Sequence, residues 1–223
     1  MSEFDRIADS YRDDVESGMV LRGNDHGDFQ AYKMLYLGKI IKKYNVRKLL
    51  DYGCGVGTLS QVIHTSFPNV TIHGYDISSK SIEDVPMELK KYPNFFTSDY
   101  KMLDHDYDLV ILSTVLHHVP LSDRREVMQK VYDTLKRHGH LIVIEHNMKN
   151  PLTRRSVEAC PFDLEAEMLS IKECRTLIGK AGFTHISQKY ITFFPKQLSF
   201  MRFLDSYIDW LPLGAQYMIN GEK

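Results

Sequence analysis

Asp51, Gly53, Gly55, Gly57 and Asp76 are the residues whose types and spacing suggest chemistry first. An apolar run, Val46 to Leu50, ends in an acid and then in glycines at alternate positions. A strand that stops at a Gly-rich turn and restarts as a helix turns backbone N–H groups toward a ligand. The usual dinucleotide fingerprint needs glycines at positions one, three and six. Here the sixth position from Gly53 is Thr58, and the third glycine comes one place early. Asp51 at the strand end would repel a pyrophosphate and attract an ammonium or sulfonium.

The next alternating run, Val70–Tyr75, ends in Asp76. An acid at the end of the second strand accepts hydrogen bonds from ribose hydroxyls. A ligand with a free ribose and a cationic tail is implied, and S-adenosylmethionine meets both demands. Leu49-Leu50-Asp51-Tyr52-Gly53-Cys54-Gly55-Val56-Gly57-Thr58, followed by Gly74-Tyr75-Asp76-Ile77-Ser78, resembles motifs I and II of the class I S-adenosylmethionine-dependent methyltransferases. The opening Phe4-Asp5-Arg6-Ile7-Ala8-Asp9-Ser10-Tyr11 is similar to the N-terminal segment of small-molecule members. The resemblance implies that Gly53, Cys54, Gly55 and Gly57 approach the methionine moiety and ribose, that Asp51 receives the ammonium, and that Asp76 holds the ribose. It also places Ser98 and Asp99 by the adenine amino group, Tyr100 or Ile77 on a ring face, and the Ser113 backbone against the methionine end.

An oxygen or nitrogen acceptor can need a base. His117 and His146 are the candidates, because they follow the fourth and fifth strands on the ligand rim. His118 is expected to line the acceptor side, and pocket lining or helix capping remains an alternative for the histidine pair. Arg154 and Arg155, with Arg22 and Tyr11 from an N-terminal lid, are candidates to hold an anionic acceptor, since guanidinium forks match carboxylate and phosphate. No metal is expected, because the histidines show no regular ligand spacing along the chain.

Strands near 47–52, 70–75, 94–97, 108–113 and 140–145 alternate with helices near 57–66, 79–91 and 122–137. That alternation predicts an α/β, Rossmann-like, doubly wound sheet with ligands at the carboxyl ends of its strands. The resemblance extends it to seven strands, mostly parallel, with an antiparallel last strand near 215–221 inserted between strands five and six. Ser122 is the expected N-cap of the 122–137 helix and Gly139 its stop. Ser170 and Glu173 form a capping box, with Leu169 and Cys174 as its staple. A broadly apolar helix is expected near 197–210, with Arg202, Asp205, Ser206 and Asp209 on its polar face. One domain is expected over 1–223, with an N-terminal lid and helices in 1–44, and insertions at 146–169 and 193–213 forming the acceptor side.

The 223 residues are 43% hydrophobic and 26% charged, with a formal net charge of −1. This balance disfavours nucleic acid as a partner. Cys54, Cys160 and Cys174 show neither metal nor disulfide spacing, which suits a reducing cytoplasm. The opening Met-Ser-Glu-Phe-Asp-Arg is unlike a secretory leader, and no run approaches the ~18 apolar residues of a membrane span. The expected function is methyl transfer to an oxygen of a small anionic or polar metabolite by a monomer or homodimer. The alternatives are a nucleic-acid or protein methyltransferase, a non-catalytic S-adenosylmethionine-binding protein and, remotely, an NAD(P)-dependent oxidoreductase. Against the first stands Ser113-Thr114-Val115-Leu116, which lacks the Pro-Pro-aromatic turn that stacks a flipped base.

Overall fold

The computed structural model describes residues 26–160, 163 and 166–223. The first described helix, α1 (His26–Lys43), buries Phe29, Tyr32, Lys33, Tyr36, Leu37 and Ile41, a stripe at three- and four-residue spacing. The strands are β1 (Lys48–Tyr52), β2 (Thr71–Tyr75), β3 (Phe95–Thr97), β4 (Tyr107–Ser113), β5 (Leu135–His146), β6 (Thr184–Ile191) and β7 (Gln216–Glu222). They form one seven-stranded sheet in the order β3-β2-β1-β4-β5-β7-β6. β1 to β5 pair in parallel, and β7 runs antiparallel between β5 and β6. The expected inserted last strand is therefore present.

β1 and β4 are apolar on both faces because a helical layer covers each side. One core packs Leu49, Leu109, Ile111, Ile142 and Ile144 beneath α1 and α2 (Thr58–Ser66). The other packs Leu50, Val110, Leu112, Leu141 and Val143 beneath α4 (Arg124–Thr134) and α6 (Ile171–Lys180). Strand order reverses between β1 and β4, where such a sheet opens a crevice at its carboxyl rim. Asp51, Asp76, Ser113, Glu145 and His146 lie on that rim.

Several elements differ from expectation. α3 is only Ser79–Glu83, with turns before and after Pro86. α4 begins at Arg124, because the Ser122 hydroxyl donates to the Asp123 carboxylate rather than capping the helix. It stops at Thr134, because Leu135 turns extended and pairs with Tyr107 of β4. Gly139 is thus inside β5 rather than a helix stop. The expected 197–210 helix is a run of 3-10 turns over Lys196–Leu204, broken at Leu198, followed by the single turn α7 (Asp205–Ile208). The Ser170–Glu173 capping box of α6 is present, with Leu169 and Cys174 buried beside it.

The segment after β5 contains α5 (Pro151–Glu158), capped by Asn150, whose side chain accepts from the N–H groups of Leu152 and Thr153. Asn147 donates to the carbonyls of Pro212 and Gly214, Asn150 to Leu213, and Thr153 to Ala215. Thus the Asn-Pro-Leu-Thr stretch is stitched to Pro212–Ala215. Gly214 also lets this segment pass against the end of β6, since a Cβ there would lie 2.4 Å from the Ile191 carbonyl oxygen. Tyr32 and Tyr36 of α1 both donate to the buried Asp205 carboxylate, the first at 2.6 Å. That contact turns Asp205 inward and leaves Phe200, Phe203, Tyr207 and Trp210 outside, which inverts the expected polarity of this segment.

Candidate active site

The turn after β1 holds Gly53 at φ 79°, a conformation open to glycine. A Cβ there would also lie 2.4 Å from the Val115 side chain, so the turn packs directly against the chain leaving β4. Gly55 faces open space, with nothing within 4 Å of where a Cβ would be. Its N–H donates to Asp76 Oδ2 at 2.8 Å, and Asp76 Oδ1 accepts the Ser78 N–H at 2.9 Å. The acid at the end of β2 is thereby aimed across the Gly-rich turn.

Asp51 is buried and accepts the Ser60 hydroxyl at 2.7 Å. Burial pushes its carboxyl up to about 6, against the opposing pull of Ser60 and Lys33. Lys33 reaches the rim from α1, and its ammonium donates to Ser113 Oγ at 2.7 Å. Burial brings Lys33 down to about 8, although Asp51 and Glu145 favour its charged form. Beyond Ser113, Thr114 adopts φ 59°. This conformation is costly for a β-branched residue, and the Ile144 carbonyl fixes it by accepting the Thr114 N–H at 2.8 Å.

The 3-10 turn Leu116–His118 follows. Glu145, buried at the end of β5, accepts the Val115 and Leu116 N–H groups on Oε1, at 3.0 and 2.7 Å. Its Oε2 lies 2.5 Å from His117 Nδ1. The other ring nitrogen, Nε2, lies 3.5 Å from Asp163 Oδ1, and His118 Nε2 lies 3.7 Å from the same oxygen. Burial alone would lower the His117 imidazole, but Glu145 and Asp163 outweigh it and hold it at about 9. Burial, reinforced by the nearby His117 charge, lowers His118 to about 4 and His146 to about 3. The His146 ring packs 5.2 Å from that of His117. The Glu167 N–H donates to the His117 carbonyl at 2.9 Å, and the buried Arg124 binds the carbonyls of Val119 and Glu167. These contacts lock the chain after Asp163 to the histidine turn.

Two acceptor carboxylates, Asp51 and Asp76, beside an open glycine face suit a ligand carrying an ammonium and a ribose. The model for a methyltransferase domain matches residues 50–141, which span the glycine turn, Asp76 and the histidine turn. Over residues 50–141 the chain is therefore similar to a methyltransferase domain. The demethylmenaquinone methyltransferase of Thermotoga maritima is 29% identical over 158 residues, 70% of this chain and 64% of that protein. This chain therefore spans less than two thirds of that relative's length. A solved Thermotoga maritima structure, described as an S-adenosylmethionine-dependent methyltransferase and possible histamine N-methyltransferase, superposes with a TM-score of 0.69 at 20% identity, covering 99% of this chain and 98% of that one. Human N-acetylserotonin methyltransferase in complex with S-adenosylmethionine superposes with a TM-score of 0.58 at 20% identity, over 81% of this chain and 48% of that one.

Within the domain the expected residues separate. Gly53, Gly55, Gly57, Asp51, Asp76 and Ser113 meet around the crevice. The Cys54 side chain turns inward instead, against Gly74 and beside Phe96, so only its backbone faces the turn. Ile77, Ser98 and Asp99 are exposed beyond β2 and β3, and Asp99 Oδ1 accepts the Lys101 N–H at 2.9 Å. The Tyr100 hydroxyl donates to the Lys130 carbonyl, and its ring stands edge-on to Tyr75. His117, His118 and His146 come together. Arg154 and Arg155 project from the solvent face of α5, and Arg154 binds the Met148 carbonyl. Tyr11 and Arg22 lie outside the described residues, as does most of the expected lid. A surface recess between α1 and α2, lined by Met34, Lys39, Lys42 and Phe67, lies at the far end of α2 from the turn.

Sequence reasoning missed Lys33, Asp163 and Arg124. Lys33 could have been found, because it falls on the apolar stripe of α1 between Tyr32 and Tyr36, where a solvated lysine does not belong. Asp163 carries no such signal, since its segment has no periodicity.

Proposed function

We propose that the chain transfers a methyl group from S-adenosylmethionine to an oxygen of a small polar or anionic acceptor. The observation that supports it is the convergence, at the switch point of the sheet, of two rim acids flanking an open glycine turn with a buried polar cluster on the adjacent strand ends. In this reading Asp51 receives the cofactor's ammonium, directly or through water. Asp76 exchanges its bond to the Gly55 N–H for the ribose hydroxyls. Asp99, with Ile77 above it, borders the adenine. Lys33 lies close enough to Ser113 to answer the carboxylate of the methionine end.

The bound cofactor supplies an activated methyl on sulfur, so the protein's task is alignment and exclusion of water. The Leu116–His118 turn, His146 and Asp163 form the acceptor wall. His117 orients this wall rather than acting as a base, since Nδ1 is held by Glu145 and Nε2 faces Asp163. The small polar acceptor agrees with the sparse, buried charges of the cluster, and a cytoplasmic setting agrees with three cysteines that are not joined in disulfides. Turnover of S-adenosylmethionine to S-adenosylhomocysteine, followed against hydroxy acids, phenols and amines, tests the reading. Turnover with an oxygen acceptor supports it, and turnover confined to amines contradicts it.

A further inference from the structure

Three ligand-type atoms from two distant segments converge beside the crevice. His117, His118 and Asp163 each offer one atom, and the three atoms lie within 4.8 Å of one another. The Asp163 oxygen is 3.5 and 3.7 Å from the two Nε2 atoms. Tetrahedral bonds of about 2.0–2.1 Å place neighbouring ligands roughly 3.3–3.5 Å apart, so the two separations to Asp163 need only a slight contraction around an ion, while the two imidazoles close from a separation of at most 4.8 Å.

The surroundings are those of a metal site. Glu145 holds His117 Nδ1, which directs Nε2 toward the cluster, and a carboxylate behind a ligating histidine both orients it and raises its basicity. Glu145 is itself fixed by two backbone N–H groups. The histidine turn is tied to the Asp163 segment by the Glu167–His117 bond and by Arg124. The ligands thus sit on a braced frame rather than on independent loops. Access exists from one side: the His117 side chain is 1% exposed, whereas Asp163 and His118 are 11% and 21% exposed.

We propose that His117 Nε2, His118 Nε2 and Asp163 bind one first-row divalent metal ion of the zinc class. Two imidazoles with one carboxylate select such an ion over calcium or magnesium, which prefer all-oxygen shells. An incoming ion displaces the Nε2 proton of His117 to solvent; with both imidazoles then neutral, the carboxylates of Glu145 and Asp163 supply two negative charges, which a divalent ion balances. Chain spacing could not show this, because Asp163 reaches the histidines only through the fold.

Three protein ligands leave a coordination position open. The remainder rests on the methyltransferase reading: an acceptor hydroxyl at that position becomes more acidic, and its proton passes to solvent water. Its oxygen forms the new O–CH3 bond, the S–CH3 bond breaks, and the electron pair stays on sulfur. The products are a methyl ether or ester and S-adenosylhomocysteine.

The test is calorimetric titration of chelator-stripped, full-length protein with zinc chloride, together with the absorption spectrum of the cobalt(II)-loaded protein. The expected result is one ion per chain, with cobalt bands of four- or five-coordinate geometry and no thiolate charge-transfer band. Asp163→Asn and His118→Ala should each weaken zinc binding by roughly tenfold or more. Their thermal unfolding and their binding of S-adenosylhomocysteine should stay near wild type. Absence of saturable binding, wild-type zinc affinity in both variants, or a thiolate band pointing to Cys160 would each overturn the site. Titration of the same samples with S-adenosylhomocysteine separates the two levels. Cofactor-product binding without zinc binding removes the metal and leaves the methyltransferase, whereas zinc binding without it keeps the site and removes its role in methyl transfer.

Discussion

Asp51 and Lys33 are two buried, oppositely charged groups at the base of the crevice, and each biases the other's proton. A cationic ammonium is received by the ionised form of Asp51. With its carboxyl raised to about 6, the ionised fraction falls below that pH, by roughly tenfold per unit once the group is mostly protonated. The affinity for S-adenosylhomocysteine should therefore be level above pH 7 and decline as pH falls below about 6, as calorimetry at several pH values will show. Lys33 favours the ionised carboxylate, so Lys33→Met should move the midpoint of that decline upward. A downward move would mean that Lys33 does not act on Asp51. The arginines give the opposite kind of residue-scale prediction. Arg154 and Arg155 lie on the solvent face of α5, so Arg154→Ala and Arg155→Ala should each alter stability by no more than about 0.5 kcal/mol and leave the acceptor KM unchanged. A several-fold rise in KM for either variant would restore the sequence expectation that they clamp an anionic acceptor.

At the scale of elements, the stretches Asn150 to Arg155 and Leu211 to Tyr217 join to each other. Asn147 donates to two carbonyls across this seam, one at 2.7 Å and one at 3.1 Å. Asn147→Ala should cost about 1–3 kcal/mol in urea denaturation, because both carbonyls lose a buried donor. Asp205 plays the corresponding part between α1 and the C-terminal 3-10 segment. Asp205→Ala strands the hydroxyls of Tyr32 and Tyr36 and should cost about 2–4 kcal/mol, whereas a change below about 0.5 kcal/mol would show that the contact is idle. Neither seam was legible beforehand, since both depend on which distant carbonyl or hydroxyl arrives. The residue spacing over 197–210 read as a broadly apolar helix with Asp205 on its polar face, yet two tyrosine hydroxyls draw Asp205 inside. Likewise nothing in Leu135-Lys136-Arg137-His138 marks the change from helix to strand, which comes from pairing with Tyr107 across the sheet.

At the scale of the whole molecule the sequence was far more informative. Continuous apolar strands, glycine turns and acids at strand ends are local signals, and they specify a doubly wound sheet whose rim carries Asp51, Asp76, Ser113 and Glu145. The cofactor half of the crevice follows from them directly. Its acceptor half does not, because it is assembled from side chains that only the three-dimensional fold brings together: Lys33, the histidine turn and Asp163. Among the described residues no helix is long and apolar enough to cross a membrane. The measurement that tests the central claim most directly is calorimetric binding of S-adenosylhomocysteine to the wild-type chain and to Asp76→Ala, with NADH as the control ligand. The account predicts micromolar or tighter binding by the wild type, a loss of at least tenfold in the variant, and no binding of NADH. Absence of wild-type binding, an unaffected variant, or a preference for NADH would contradict it.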